Sequence, residues 1–383
     1  MHVLSGDCNG VSFSLVLPPQ LSSFPSPSRC LIWIHIMTTD DQDHLQARNL
    51  PKRPRTPQND GPPKLRYDAY TVAWICALQI EMAAARAMLD ETHEKLPLDA
   101  ADTNTYELGR IAKHNVVIAC LPFTQYGTNN ATNVATNLRR TFPAIRATLM
   151  VGIGGGVPSK ADVRLGDVVV GSRVMQYDLG KVVEGGSIQR TAVARTPDHL
   201  LGTAVMSLRA EYDLRRSRIS TIFQQKLGIY SNYARPAKPD ILFEAAYRHE
   251  DSNQSCDACN PSKEVDRDQR MSDDVTIHYG AIASGNSVMK SATERDAVAA
   301  ELDVICFEME AAGVMEVFHC LPIRGICDYS DSHKAKEWQR YAAGMAAAYA
   351  TELLEVLPVS RNHTWTDCVL GKIAFAPLSS SRY

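Results

Sequence analysis

From Tyr70 onward the chain alternates between unbroken apolar runs and stretches whose apolar residues recur at helical spacing. YTVAWICAL (70–78) is apolar almost throughout and rich in β-formers, the pattern of a buried strand. It leads into EMAAARAMLDETHEKL, an alanine-rich segment that predicts a helix starting near Glu81. NTYELGRI and HNVVIACL predict two short strands around a turn at Ala112–Lys113. NATNVATNLRRTFPAI predicts a helix whose polar start supplies caps. ATLMVGIGGGV predicts a strand ending in glycines, and GDVVVGSRV another strand after a Leu-Gly-Asp turn. VTIHYGAIASG and TERDAVAAEL follow as strand and helix; VICFEME, AAGVMEVFHC, IRGICDYSD and KEWQRYAAGMAAAYATELLEVL follow as strand, helix, strand and long helix. Strands alternating with helices imply an α/β fold whose mixed or parallel sheet carries helices on its faces.

Three stretches fall outside that rhythm. Residues 1–66 are dominated by proline, serine and charge, which predicts a disordered tail. Met37, followed by TTDDQDH, is an alternative start to Met1. Residues 213–275 hold proline, clustered charge and an isolated C-D-A-C pair, and are expected to form an irregular insertion or lid. Residues 359–383 read as an irregular C-terminal tail, leaving 67–358 as the organised domain.

Hydrophobic residues make up 45% of the 383 and charged residues 22%, ordinary for a soluble globular protein. The formal net charge of −3, from 40 basic and 43 acidic residues, gives no electrostatic case for a nucleic-acid partner. Ten scattered cysteines, several inside apolar runs, point to a reducing compartment rather than a disulfide framework. The longest suspicious run, CLIWIHIM (30–37), is too short to span a bilayer, and the N-terminus lacks the basic start of a signal peptide. A cytoplasmic protein without a membrane anchor is expected. Lys52, Arg53 and Arg55 form a short basic cluster, read first as a solvated linker and alternatively as a nuclear-import signal.

Two motifs are weaker than they look. VGIGGGV follows a strand, yet a dinucleotide fingerprint starting at Gly152 needs glycine where Val157 stands. A glycine turn that lets a small ligand approach backbone N–H groups fits better, and no dinucleotide cofactor is expected. Cys256 and Cys259 have C-x-x-C spacing, but no second pair follows, and His249 is the nearest histidine. Structural zinc takes four ligands and three are nameable, so paired solvent-exposed thiols and no metal are expected.

The acids carry more. If VICFEME alternates as a strand, Phe307 and Met309 share one face while Glu308 and Glu310 share the other. Asp328 ends another apolar strand, and Glu81 follows the first one. Carboxylates at several strand ends mark the place where open α/β sheets bind ligands. The plainer account, acids favoured by helix N-termini, competes most strongly at Glu81.

At these residues the chain resembles the nucleoside phosphorylase and nucleosidase superfamily of the purine/uridine phosphorylase type. It is most similar to the methylthioadenosine/S-adenosylhomocysteine nucleosidase branch and its fungal relatives. The resemblance runs from about Tyr70 to Leu357, broken by 213–275, and rests on WICALQIEMAAA, VGIGGGV with RLGDVVVGS, IASGNSVM, FEMEAAGV and RGICDYSD. It implies a three-layer α/β/α sandwich with a mixed, partly closed central sheet, usually assembled as a homo-oligomer. It also implies cleavage of an N-glycosidic bond through an oxocarbenium-like transition state, with no cofactor.

Carried over residue by residue, the resemblance makes Asp328 the acid that protonates the leaving purine and Glu310 the clamp on the ribose hydroxyls. Met309 packs on the sugar, and Arg324 pairs with Glu310 to hold it ionised. Glu81 activates the attacking water; Glu308 receives no chemical step. A base is expected to pack among Val288, Met289 and Phe307, with Ile153 and Gly154 at the glycine turn. Val288 stands where the nucleosidases place an aromatic, Ile153 where they have serine, and Cys327 where serine precedes the aspartate.

The phosphorylases carry a glycine-aspartate-proline phosphate segment near the first strand, which ALQIEMAA lacks. Hydrolysis of a purine nucleoside by water is therefore expected over phosphorolysis. A non-catalytic nucleoside-sensing module is a third reading, since fungal relatives often occur within receptor-like proteins; retention of all three acids argues against it.

Overall fold

The computed structural model describes residues 3–8, 11–16 and 65–359, apart from 187, 192, 250–255, 273 and 335. The chain divides into two units, one up to Pro62 and one from Pro63. In the first, β1 (Val3–Cys8) and β2 (Val11–Val16) pair antiparallel, with Cys8 opposite Val11. A tail without ordered elements does not anticipate this hairpin, although Asn9-Gly10 between the strands is a strong two-residue hairpin signal. Met37, the basic cluster at Lys52, Arg53 and Arg55, and residues 360–383 lie outside the described residues.

The second unit runs β3 (Val72–Cys76), α1 (Gln79–Met88), β4 (Glu91–Thr92), β5 (Tyr106–Ile111), β6 (His114–Cys120), α2 (Thr128–Thr141), β7 (Ala147–Gly156) and β8 (Val168–Gln176). It continues with β9 (Gly180–Val182), β10 (Ile188–Arg190), α3 (His199–Leu214), α4 (Ile219–Leu227), β11 (Ile277–Ser284), α5 (Ala292–Leu302), β12 (Val304–Glu308), α6 (Ala311–Val314), β13 (Leu321–Asp328) and α7 (Trp338–Val356). Nine of the strands form one mixed sheet in the order β12-β11-β8-β13-β7-β3-β6-β5-β4. Strand β12 also pairs antiparallel with β7, so the β12-to-β7 half curls into a closed ring and the sheet is partly closed.

Strand β3 shows why the apolar runs are continuous. Val72, Trp74 and Cys76 belong to the core on one face, Ala73 and Ile75 to the core on the other. A strand covered by helices on both sides has no polar face to show. The first core takes α1, α3, α4 and α7; the second takes α2 and α6. The architecture is the three-layer sandwich expected from the sequence. Helix α7 is buried along nearly its whole length, and its small residues allow close approach: a Cβ on Gly325 of β13 would strike the carbonyl of Ala342.

Two helices lie where the sequence reading placed none. Helix α3 buries Leu201, Ala204 and Leu208, spaced three and four apart. Helix α4 falls within the supposed irregular insertion, and buries Ile219, Ile222, Phe223 and Leu227. Its one-sided apolar pattern is hidden by the arginines and proline-rich loop that flank it. Conversely, AAGVMEVFHC holds four helical residues before breaking into turns. No helix among the described residues is long and apolar enough to cross a membrane.

Candidate active site

The carboxyl ends of β3, β7, β12 and β13 converge on a cavity of about 360 Å³, the size of a small-molecule pocket. Its lining includes all ten residues singled out from the sequence except Arg324: Glu81, Ile153, Gly154, Val288, Met289, Phe307, Met309, Glu310 and Asp328. Arg324 lies directly beneath, 1% exposed, and reaches the acids from below.

Glu81 is the third residue of α1. Its Oε2 accepts from the backbone N–H of Ala77 (2.8 Å) and Leu78 (2.9 Å), and its Oε1 from that of Ile153 (2.8 Å). The reach back to Leu78 is half of a capping box, so the helix-terminus account of this acid is correct as far as it goes. The bond to Ile153 goes further, because it ties the carboxylate to β7. Burial lifts Glu81 above the usual carboxylate range, against the pull of Arg324 and the three N–H donors.

The glycines of β7 are not a turn. The strand runs unbroken to Gly156, and none of Gly152, Gly154, Gly155 or Gly156 has a positive φ. They are small because side chains crowd them. A Cβ at Gly152 would collide with Glu81 Oε1 and Arg324 Nη1, and one at Gly155 with Ser330 Oγ and Asp328 Oδ1. The strand's own backbone makes room for the acids.

Strict alternation through VICFEME also fails, for a definite reason. Strand β12 ends at Glu308, and Glu310 is the residue before α6, with φ −123° and ψ −32°. As the chain turns there, Phe307, Glu308, Met309 and Glu310 all line the cavity. Phe307 is held edge-on by Tyr177, ring centroids 5.4 Å apart.

Arg324 does not pair chiefly with Glu310, as the resemblance implied. Its Nη2 forms a close ion pair with Glu308, while Glu310 Oε2 lies 3.9 Å away. Glu308 Oε2 also accepts from the backbone N–H of Glu310 (3.0 Å) and Ala311 (2.9 Å), so it anchors the turn that carries its neighbour. Glu310 Oε1 accepts from the N–H of Gly127 at 3.4 Å. One guanidinium thus serves three buried carboxylates, which cannot all ionise cheaply in a dry site. Burial, and then the charge on Glu308, push Glu310 up to about 8 despite Arg324.

Asp328, at the end of β13, is in a different state. Its Oδ1 accepts from the N–H of Ser330 at 2.8 Å and pairs with Lys334 Nζ at 2.7 Å. Burial opposes the charge on Lys334, but Asp328 outweighs it and leaves the ammonium above its ordinary pKa. Sequence reasoning missed Lys334, although it stands in the same D-Y-S-D-S-H-K loop. Val288 is 56% exposed and lines the cavity without packing into the core.

With this geometry in view, the relatives can be placed. Residues 71–355 match the Phosphorylase superfamily. A nucleotide-binding leucine-rich repeat (NLR)-like protein of Hyaloscypha variabilis is 46% identical over 309 residues, 77% of this chain. The chain spans 30% of that relative's length. The 5'-methylthioadenosine/S-adenosylhomocysteine nucleosidase of Mycobacterium bovis is 23% identical over 76% of this chain and 98% of its own. Among solved structures, futalosine hydrolase of Helicobacter pylori superposes with a TM-score of 0.51 at 15% identity, covering 75% of this chain and 98% of its own. These define an α/β protein of the nucleosidase fold. The chain belongs to the Phosphorylase superfamily.

Proposed function

We propose that the chain cleaves the N-glycosidic bond of a purine nucleoside, with water as the nucleophile. The observation that carries this reading is the grouping of Glu81, Glu308 and Glu310 around the guanidinium of Arg324 beneath the cavity. A floor on which carboxyl groups outnumber the guanidinium suits a transition state in which the ribose ring becomes cationic.

The roles follow from position. Glu310, held near neutrality, donates to one ribose hydroxyl and accepts from another. Met309 and Phe307 pack against sugar and base. The purine meets Asp328, and the Asp328–Lys334 pair holds a transferable proton. As the bond from C1′ to the base breaks, its electron pair leaves with the base. A proton passes from Lys334 through Asp328 to N7, and the base departs neutral. Water attacks C1′ and gives its proton to Glu81, which passes it to solvent, and solvent restores the proton to Lys334.

Glu81 also favours hydrolysis over phosphorolysis. The N–H groups of Ala77 and Leu78 at the start of α1, and that of Ile153, are donors of the kind that bind a phosphate. Here a carboxylate occupies them and repels an anion.

The test is incubation with adenosine, inosine and methylthioadenosine, with and without phosphate. Free sugar released without phosphate is expected. Sugar 1-phosphate formed only with phosphate makes the protein a phosphorylase. Binding without turnover makes it a nucleoside-sensing module, a reading that the NLR-like relative favours.

A further inference from the structure

The segment after α4 holds a second group of chemically potent side chains. The described residues of the segment 242–265 are closed off at the base, where Phe243 and Glu264 bridge antiparallel and Val265 N–H donates to the carbonyl of Leu242 (2.8 Å). Within it, a single 3₁₀ turn (Cys256–Ala258) folds Cys259 N–H back onto the carbonyl of Cys256 at 3.0 Å. Both cysteines are half-buried free thiols, not the solvent-exposed pair expected from the sequence. One ring nitrogen of His249 and the two Sγ atoms lie within 4.8 Å of one another. Tetrahedral zinc, with bonds of about 2.3 Å to sulfur and 2.0–2.1 Å to nitrogen, sets its donors roughly 3.3–3.8 Å apart, within a small side-chain adjustment of that spacing.

A second observation points the same way. His333, 7% exposed, has both ring nitrogens buried with no hydrogen-bond partner, and so has His249. Buried polar atoms are almost always satisfied, yet two adjacent imidazoles here are not. Their rings meet edge-on with centroids 5.4 Å apart. His333 is stacked against Phe243 (4.3 Å) and Tyr247 (5.3 Å), which fixes its plane. The three closely grouped donors are His249, Cys256 and Cys259; His333, beside His249, is the candidate fourth and would have to swing toward them.

We propose that Cys256, Cys259, His249 and His333 bind a structural zinc ion, with two thiolates and two neutral imidazoles as donors. This set is that of a closed structural site rather than a catalytic one. On binding, the thiols release their protons to solvent and no redox step is involved. The ion would fasten His249 and the Cys256–Cys259 turn to the loop that follows β13. His333 lies one residue before Lys334, and the backbone N–H of His249 already donates to Ser332 Oγ at 2.9 Å. Zinc would therefore hold Lys334 on Asp328 from behind, which makes His333 a positioning residue for the proposed glycosidase.

Metal analysis of the purified full-length chain tests the proposal directly, independently of any activity. About one zinc per chain is expected, lost in Cys256→Ser and Cys259→Ser. In His333→Ala, zinc should pass to a chelator at least about tenfold more readily, since even outer partners of ligands are worth that much. Cobalt added to metal-stripped protein should give a thiolate-to-cobalt charge-transfer band. Absence of zinc after expression in zinc-supplemented medium, with no uptake by the reduced protein, overturns the site. So does zinc retained in both cysteine variants, or a Cys256–Cys259 disulfide in the native chain. Wild-type retention by His333→Ala removes His333 as the fourth donor.

Discussion

The domain buries two clusters of charge that share ingredients and differ in proportion. Asp167, 2% exposed, is gripped by both Nη atoms of Arg270 at 2.8 Å and by His278 Nε2 at 2.8 Å. It also accepts from the N–H of Arg164 (2.8 Å) and Thr276 (3.0 Å), so its lone pairs are spent. Burial alone would raise its pKa, but His278 and Arg270 outweigh that and hold it below the usual carboxylate range. Around Arg324 the proportion is reversed, with three carboxylates to one guanidinium and Glu310 pushed up to about 8. A buried acid that is fully paired is a fastener. One that is crowded by its own kind and faces a cavity has capacity left for a ligand. That difference, rather than burial or charge alone, separates a structural acid from a candidate catalytic one.

If the contrast is real, the two clusters should fail in different ways. Asp328→Asn and Glu81→Gln are expected to lower kcat by about 10²–10⁴-fold while leaving the thermal transition intact, and Glu81→Gln should still bind nucleoside. Near-wild-type turnover in either folded variant removes that residue from the mechanism. Asp167→Asn should do the converse, costing about 1–3 kcal/mol of stability because Arg270, His278 and two backbone N–H groups lose their charged acceptor, although Arg270 keeps Asp162. Denaturant unfolding measures that loss, and kcat per folded molecule should not move; a large fall in kcat would erase the distinction.

The pH dependence should differ in sign. Glu310 has a raised pKa, so the folded chain holds a proton there that the unfolded chain gives up above about 4.3. Its contribution to stability is complete below that pH and is lost as pH rises toward about 8. Asp167 has a lowered pKa, so its contribution is present above the ordinary aspartate value of about 3.9 and fades as pH falls below it. In Glu310→Gln, the decline of Tm between pH 5 and pH 8 should flatten, as read by calorimetry across a pH series. An unchanged slope assigns the proton elsewhere. The smallest effect belongs to the rim: Val288→Ala should raise KM a few-fold with kcat unchanged, because an exposed apolar contact contributes to base binding alone.

Much of this was legible in the chain. The continuous apolar run at 72–76 signalled a strand covered on both faces, and acids at strand ends signalled the cavity. What was hidden depends on contacts between distant segments. That Glu308, not Glu310, is the close partner of Arg324 follows from where β12 ends, two residues earlier than alternation implied. The glycines of β7 look like a turn because their reason for being small, the carboxylates pressed against them, lies elsewhere in sequence. Helix α4 escaped because its four apolar residues sit among arginines and irregular flanks, too short a pattern to stand out.

The seam between β12 and β7 has a consequence for the order of assembly. Cys306 meets Gly156 and Phe307 meets Gly155, the pairs that close the ring and complete the pocket floor. They join segments far apart along the chain by two rungs, whereas β3, β6 and β7 zip together from nearer neighbours. Contacts that close long loops are entropically the slowest to form. The cleft should therefore be a late-arriving part of the domain on refolding, with the amide of Val157, which donates to Ile305 across the seam at 3.0 Å, protected from exchange after those of β3 and β6.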